Sequence, residues 1–141
     1  MRFRGGLVVL LGVSSVLVGC TNVAGDAIRV IEAPAERQEN LFASIEHTLR
    51  ASGYECHAAG EGHRYRCDKA LRNLFIHQTR AVIEVFPDAD VPDSYFVMAT
   101  RWDEGLIPGE LISSEYHSAD VVVLCKALED SSLGRCRVEA P

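Results

Sequence analysis

The sequence lacks the short motifs that mark several common enzyme classes. It has no phosphate-binding glycine loop and no glycine-rich dinucleotide-binding motif. It also has no Gly-x-Ser-x-Gly turn, the element that exposes the nucleophilic serine of α/β-hydrolases. These absences argue against an enzyme that uses a nucleotide and against a serine hydrolase of that fold.

Positive charge is also scarce. The 141 residues include 14 lysines and arginines against 20 aspartates and glutamates, a formal net charge of −6. Loss of residues 1–19, which contain Arg2 and Arg4 and no acid, would make the net charge −8. A protein this acidic has no broad basic surface for nucleic acid and would be repelled by anionic lipid. Nucleic acid is therefore not an expected partner, and a membrane location would need a separate anchor.

A long apolar run is missing as well. The apolar segment from Leu7 to Val18 has 12 residues, whereas a membrane-spanning helix needs about 20. Arg2 and Arg4 precede this segment and small residues end it, which is the pattern of a secretory signal. The segment therefore predicts export from the cytoplasm.

The end of this segment, Leu17-Val18-Gly19-Cys20, resembles the lipobox of bacterial lipoproteins, in which an aliphatic residue and small residues precede a cysteine. The resemblance implies cleavage before Cys20, a diacylglyceryl thioether on its sulfur and an acylated amine. Two or more acyl chains hold a protein stably on a membrane. In a Gram-negative cell, Thr21 in place of an aspartate favours the outer membrane, facing the periplasm. The alternatives are a plain transmembrane anchor and an ordinary cleaved signal.

Three segments are predicted along the chain. Residues 1–19 are the signal peptide, residues 20–33 are the lipidated N-terminus and a tether, and residues 34–141 are a single globular domain. The tether is inferred because residues 21–33 show no clear hydrophobic period, although Val30-Ile31 could dock on the domain. A mature chain of this length is large enough for one hydrophobic core.

The cysteines predict a disulfide framework. Beyond Cys20 the chain has Cys56, Cys67, Cys125 and Cys136, and an even number in an exported protein favours disulfides. Of the three possible pairings we favour Cys56–Cys67 and Cys125–Cys136. A two-residue turn at Glu61-Gly62 would place the first two cysteines directly opposite each other, within reach of a disulfide. The second pair would close a similar hairpin around a longer loop.

Hydrophobic periodicity predicts an α+β fold. Leu41, Ile45 and Leu49 recur every four positions within 34–52, which indicates an amphipathic helix that ends at Gly53. A second helix is predicted over 68–75, with a loop that runs into a strand as the alternative, and a short helix is predicted over 108–116. Strands are predicted at 54–58, 63–67, 79–86, 95–102, 120–128 and 135–139, with the apolar 120–128 at the centre. The sum is an antiparallel sheet of about five or six strands, with the long helix on one face and two hairpins each closed by a disulfide.

Three clusters have the residue types of a reactive site. Cys56, His57, His63 and Cys67 are ligand types for zinc, but an oxidising compartment favours the disulfide. The loop acids Asp88, Asp90 and Asp93 lack the glycine and glutamate of a calcium loop. Ser113, Ser114, His117 and Asp120 could supply a nucleophile and a base. We predict no metal and no cofactor.

Aromatic and arginine side chains suggest a binding surface instead. Alternation along strand 95–102 places Phe96, Met98, Thr100 and Trp102 on one face and Tyr95, Val97, Ala99 and Arg101 on the other. Tyrosine, tryptophan and arginine are enriched at protein interfaces. The predicted interface residues are Tyr65, Tyr95, Arg101 and Trp102. The alternative is that these aromatic residues fill a small core.

Together these features predict a lipid-anchored envelope protein that acts as a non-enzymatic binding or assembly module for a membrane-associated partner. A small envelope hydrolase, or its inhibitor, with His117 or His63 as the base is the main alternative. A structural lipoprotein that binds metal or polysaccharide is a third.

Overall fold

A computed structural model describes residues 20–60, 64–105 and 116–140 of the chain. The predicted signal peptide, the turn at Glu61-Gly62 and the predicted helix from residue 108 to 115 lie outside these ranges. Within them no helix is both long enough and apolar enough to cross a membrane.

The described chain forms seven strands and two α-helices. In chain order they are β1 (Cys20–Gly25), β2 (Arg29–Glu32), α1 (Gln38–Ala51), β3 (Glu55–Ala58), β4 (Tyr65–Leu74), β5 (His77–Pro87), β6 (Ser94–Gly105), α2 (Ala119–Asp130) and β7 (Arg135–Val138). The α+β class is therefore as predicted, with seven strands rather than five or six.

All seven strands belong to one antiparallel sheet, with the order β3-β4-β5-β6-β2-β7. The 12-residue β6 is long enough to pair with two strands along one edge. β2 occupies the end of that edge near Ser94, and β1 occupies the end near Gly105. The other edge of β6 pairs with β5 over its whole length, so β5 and β6 form the centre of the sheet.

The first helix follows its hydrophobic period. A short 3-10 turn over Ala35–Arg37 precedes α1, whose buried residues are Leu41, Phe42, Ile45 and Leu49. Burying side chains of this size contributes about 1.5–3 kcal/mol each. The chain leaves the helix at Gly53, whose φ of +89° is costly for any residue with a Cβ atom.

The prediction of a central strand at 120–128 is wrong, because this segment is helix α2. The Ser118 hydroxyl accepts a hydrogen bond from the Val121 N–H and caps the helix. The buried residues Val121, Leu124 and Leu128 have helical spacing. A good cap and a continuous buried stripe outweigh the weak strand preference of three consecutive valines.

The second disulfide therefore does not close a hairpin, as was predicted. Cys125 and Cys136 are bonded, with their Cα atoms 5.6 Å apart, but the bond joins α2 to β7. The first disulfide does close a hairpin, since Cys56 on β3 and Cys67 on β4 are directly opposed, with their Cα atoms 4.0 Å apart.

The predicted helix at 68–75 is also wrong, because this segment belongs to strand β4. From Asp68 to Leu74 the strand pairs with β5, with a register shift between Ala70 and Arg72, whereas β3 pairs with β4 only as far as Asp68. Pairing with the long β5 satisfies backbone groups that an isolated two-turn helix would leave without partners. As a result Leu71 and Leu74 are exposed instead of buried.

Residues 20–33, predicted as a tether, contain β1 and β2. Val30 and Ile31 are fully buried, and the backbone of Cys20 pairs with that of Gly105. Most residues between Cys20 and the first helical turn are paired with β6 in the sheet. The described part of the chain therefore belongs to the sheet from Cys20 onwards.

The main core lies on one face of the sheet. Residues of α1 and α2 share a single buried cluster with Ile83, Val85, Val97 and Ala99 of the central strands. These four alternate with residues that face the other way. Both described helices therefore cover the same face, and the second face carries neither of them.

Candidate functional site: the open face of the sheet

Trp102 occupies the second face of the sheet, which we call the open face. It lies on β6 directly between Val23 of β1 and Arg80 of β5. Its indole N–H donates a hydrogen bond of 3.0 Å to the hydroxyl of Thr100, two residues along the same strand. The pleat of β6 places this side chain away from the helices, where it is half-buried.

Two arginines contact the indole ring. The guanidinium carbons of Arg80 and Arg66 lie 5.7 Å and 5.9 Å from the ring centroid, within the range of a cation–π interaction. Arg80 also pairs with Glu104 at 2.8 Å, and Arg66 pairs with Glu84 at 3.2 Å. Each arginine is therefore held by a carboxylate and by the ring, which limits the side-chain freedom it would lose on binding.

A second aromatic group lies towards the other end of the same face. Phe86 and Phe96 are directly paired between β5 and β6, with their ring centroids 5.5 Å apart. The guanidinium carbon of Arg64 lies 5.7 Å from the centroid of the Phe86 ring. Six residues along β6 separate this group from Trp102, which corresponds to about 20 Å. The open face thus presents two aromatic and arginine groups of the kind found at interface hot spots.

The four predicted interface residues are not brought together. Tyr95 is only 3% exposed and meets Phe42 edge to face. Tyr65 stacks on the same phenylalanine, with a centroid separation of 5.2 Å. Arg101 alternates with Trp102 and faces the helices, so Trp102 alone of the four lies on the open face. The strand alternation in the sequence had already placed Trp102 on one face with Phe96, Met98 and Thr100, opposite Tyr95 and Arg101.

Arg101 instead binds a buried carboxylate on the helix-covered face. Asp103 is 4% exposed and accepts hydrogen bonds from Thr79 Oγ1 at 2.8 Å and from Arg101 Nε at 3.0 Å. The guanidinium group of Arg101 also lies 5.9 Å from the ring centroid of Tyr116. Because both of its oxygens are engaged by neighbours, Asp103 has a structural part in joining β5 and β6.

The predicted serine, histidine and aspartate group is not assembled in the described residues. Ser113 and Ser114 lie outside them, as does His63. Asp120 accepts hydrogen bonds from Lys69 Nζ at 2.7 Å and from the Tyr54 hydroxyl at 3.0 Å. Burial and the neighbouring Asp120 carboxylate raise the pKa of Tyr54 far above its usual range, so this hydroxyl stays a donor.

His117 contacts a different carboxylate, Asp26, at 3.5 Å. Burial would raise the pKa of Asp26, but hydrogen bonds from the Ser118 N–H, from Arg29 and from the Ala27 N–H outweigh it and lower the pKa. Asp26 lies in the loop that connects β1 to β2, so its hydrogen bond with the Ser118 N–H joins this loop to the start of α2. The role of Asp26 is therefore to connect elements of the fold.

The two clusters with the residue types of metal ligands have other partners. The Cys56 and Cys67 sulfurs are bonded to each other, which leaves no thiolate for zinc. Asp88 accepts hydrogen bonds from the backbone N–H groups of Asp90 and Val91 and so closes the loop between β5 and β6. Within residues 20–60, 64–105 and 116–140, no three metal-binding side chains lie close enough to hold an ion.

Comparison with known proteins finds no family model that matches the chain and no curated protein that is significantly similar to it. Function must therefore be inferred from the residues and their geometry, and the open face around Trp102 is the best-supported site.

Proposed function

We propose that this protein is a lipid-anchored protein of the bacterial cell envelope that binds a membrane-associated protein partner through the open face of its sheet, without catalysis. The single observation that carries the binding role is the contact of Trp102 with Arg66 and Arg80 on a face that neither described helix covers. The anchor rests on the likeness of Leu17-Val18-Gly19-Cys20 to a lipobox.

The residue types favour binding of a protein over binding of a small molecule. Trp102 and Arg80 line a cavity of about 210 Å³, which is smaller than the roughly 300–1,000 Å³ of a typical small-molecule site. The aromatic and arginine groups continue beyond it along the strands, as they do at protein interfaces. Val82 lies on the same face, on β5 between β4 and β6, and is only 1% exposed. The side chains that surround it are therefore already closely packed before a partner binds. A partner would therefore meet an ordered surface and pay little entropy for fixing it.

Anchoring would strengthen such binding by proximity. A domain held at the membrane meets a partner in the same membrane at a raised effective concentration, so a modest affinity suffices. Two or more acyl chains on Cys20 would hold the domain stably even though its net charge is negative. In a Gram-negative cell the expected place is the outer membrane, with the domain in the periplasm.

Photo-crosslinking in intact cells tests the proposal. A photoreactive residue is placed at Met98 or Thr100 on the open face, and at His47 or Val122 on the exposed side of the helices as matched controls. We expect one envelope protein to be captured from the open-face positions and not from the controls. Trp102→Ala should reduce capture by about tenfold or more, since an interface hot spot is worth at least about 2 kcal/mol.

The negative outcomes are equally specific. Capture of the same proteins from both faces, or unchanged capture by Trp102→Ala, would show that the open face is not the binding site. A mature protein that begins with an unmodified Met1 in its mass spectrum would remove the anchor. The Trp102→Ala variant is first shown to keep the circular dichroism spectrum of the unaltered protein, so that loss of capture is not loss of fold.

A further inference from the structure

The turn between β4 and β5 is apolar and fully presented to solvent. Phe75, at its tip, is 95% exposed, and Leu74 and Ile76 on either side are about half exposed. Leu71 is exposed to the same degree a few residues earlier in β4. Hairpin turns are normally built from glycine, asparagine, aspartate and other polar residues. Four large apolar side chains at one exposed tip point to a surface that is covered when the protein works.

This hairpin tip lies at the same end of the sheet as Cys20. His77, the first residue of β5, pairs with Gly105, and Gly105 pairs on its other edge with Cys20. Because neighbouring strands are 4.7–4.9 Å apart, the backbone of Cys20 lies about 10 Å from the base of the turn. Phe75 and Ile76 extend beyond this row of residues in the direction from which the chain enters β1.

No flexible linker separates the proposed lipid on Cys20 from the sheet. The backbone of Cys20 is already paired in the sheet, so acyl chains on its sulfur would begin at the sheet edge. A bilayer that holds those chains would have to lie against this end of the domain. The hairpin tip is the apolar surface that it would meet there.

The charge near the hairpin tip also fits contact with a bilayer. From Lys69 to Ile83 the sequence has three basic residues and no acid, although the chain as a whole has six more acids than bases. Lys69 and Arg80 are paired with Asp120 and Glu104, so Arg72, near the tip, is the cation that the hairpin offers to lipid. An arginine beside exposed apolar side chains matches the phosphate groups and the acyl region of a bilayer. Its position beside Cys20, where the proposed acyl chains would enter the bilayer, favours lipid over a protein partner.

We infer that the hairpin tip formed by Leu71, Leu74, Phe75 and Ile76 inserts into the lipid interface beside the anchor at Cys20. The inference rests on the lipid anchor of the proposed function. Two contacts about 10 Å apart, the acyl chains on Cys20 and the hairpin tip, would hold the strands at a steep angle to the membrane plane. The 11-residue β5 would then place the loop around Val91 about 35 Å from the bilayer and turn the open face sideways, towards a neighbour in the same membrane.

Tryptophan fluorescence in reconstituted vesicles tests this arrangement. The full-length lipoprotein is purified from cell membranes and placed in phosphatidylcholine vesicles with or without brominated acyl chains, which quench tryptophan on contact. Trp102 is the single native tryptophan, so each variant carries Trp102→Phe. Phe75→Trp reports on the tip, and Val91→Trp is the matched control, because Val91 is 49% exposed at the opposite end of the sheet.

We expect brominated lipid to quench the emission of the Phe75→Trp variant and to leave that of the Val91→Trp variant unchanged. Equal quenching of both, or none at position 75, overturns the inference. Flotation of the vesicles and the mass of the N-terminal peptide distinguish a missing lipid anchor from a missing hairpin contact. Acylated, floating protein without quenching at position 75 leaves the anchor in place and removes the hairpin contact, whereas protein with no acyl chain removes the anchor and the hairpin contact together.

Discussion

Replacement of Asp103 by asparagine tests whether the buried carboxylate stabilises the centre of the sheet. Asp103 accepts hydrogen bonds from Thr79 and from Arg101, and its side chain is almost fully buried. A hydrogen bond to a charged group contributes about 1.5–3 kcal/mol. Asparagine keeps one acceptor oxygen and can still bond to Thr79, but it loses the charge that Arg101 faces.

The expected loss for Asp103→Asn is therefore one charged interaction, about 2 kcal/mol in the free energy of unfolding. It falls below the 3–5 kcal/mol of a fully buried ion pair because the Arg101 side chain is 24% exposed and regains some hydration. With a urea m-value of about 2 kcal/mol/M for a domain of this size, the unfolding midpoint should fall by about 1 M. Urea titration is followed by far-UV circular dichroism, with the disulfides oxidised.

Glu104→Gln provides the matched control on the neighbouring residue. Glu104 also pairs with an arginine, Arg80 at 2.8 Å, but both side chains are more than 40% exposed. An exposed pair contributes about 0.2–1 kcal/mol, so this midpoint should move by at most about half as much. If Asp103→Asn shifts the midpoint no further than Glu104→Gln does, the reasoning from burial is wrong.

Three further predictions concern stability. Serine at both Cys125 and Cys136 should lower the free energy of unfolding by about 2–3 kcal/mol, since the bond closes an 11-residue separation, and denaturant titration measures it. Gly134→Ala should cost about 1–3 kcal/mol, because its Cβ atom would lie 2.9 Å from Ile31 Cγ2, and thermal unfolding measures it. The folded-state pKa of Asp26 is below its usual 3.8, so its contribution is present above that pH and is lost as the pH falls through the lower value. Acid titration of Asp26→Asn should therefore show a weaker decline in stability below pH 3.8 than the unaltered protein does.

The sequence predicted the features that depend on local pattern. The stripe of Leu41, Ile45 and Leu49 located α1, and residue counting located the Cys56–Cys67 bond. The cap at Ser118 and the spacing of Leu124 and Leu128 were also present for α2. The prediction followed instead the three valines between Asp120 and Leu124, although their strand preference is weak and depends on context.

The remaining errors arise from pairing between segments far apart in the chain. Leu71, Leu74 and Phe75 fit one side of a helix, but the segment up to Leu74 is a strand because β5 pairs with it. Nothing local to residues 20–32 reveals that they pair with β6, more than 60 residues later. A short strand gains its stability from its neighbours, so its own residues carry little signal.

The error over the tether changes how the protein can work, and not only its fold. A flexible tether would let the domain turn freely above the membrane, so that an interface on any face would serve equally well. Because Cys20 is already paired in β1, the proposed lipid on its sulfur would fix this end of the sheet, and the faces of the domain would no longer be equivalent. The open face around Trp102 runs along the strands that pair beside Cys20, so it would face sideways over the membrane. A partner embedded in the same membrane could reach that face, and insertion of a long flexible linker after Cys20 should weaken its capture by the open face even though Trp102 is unchanged.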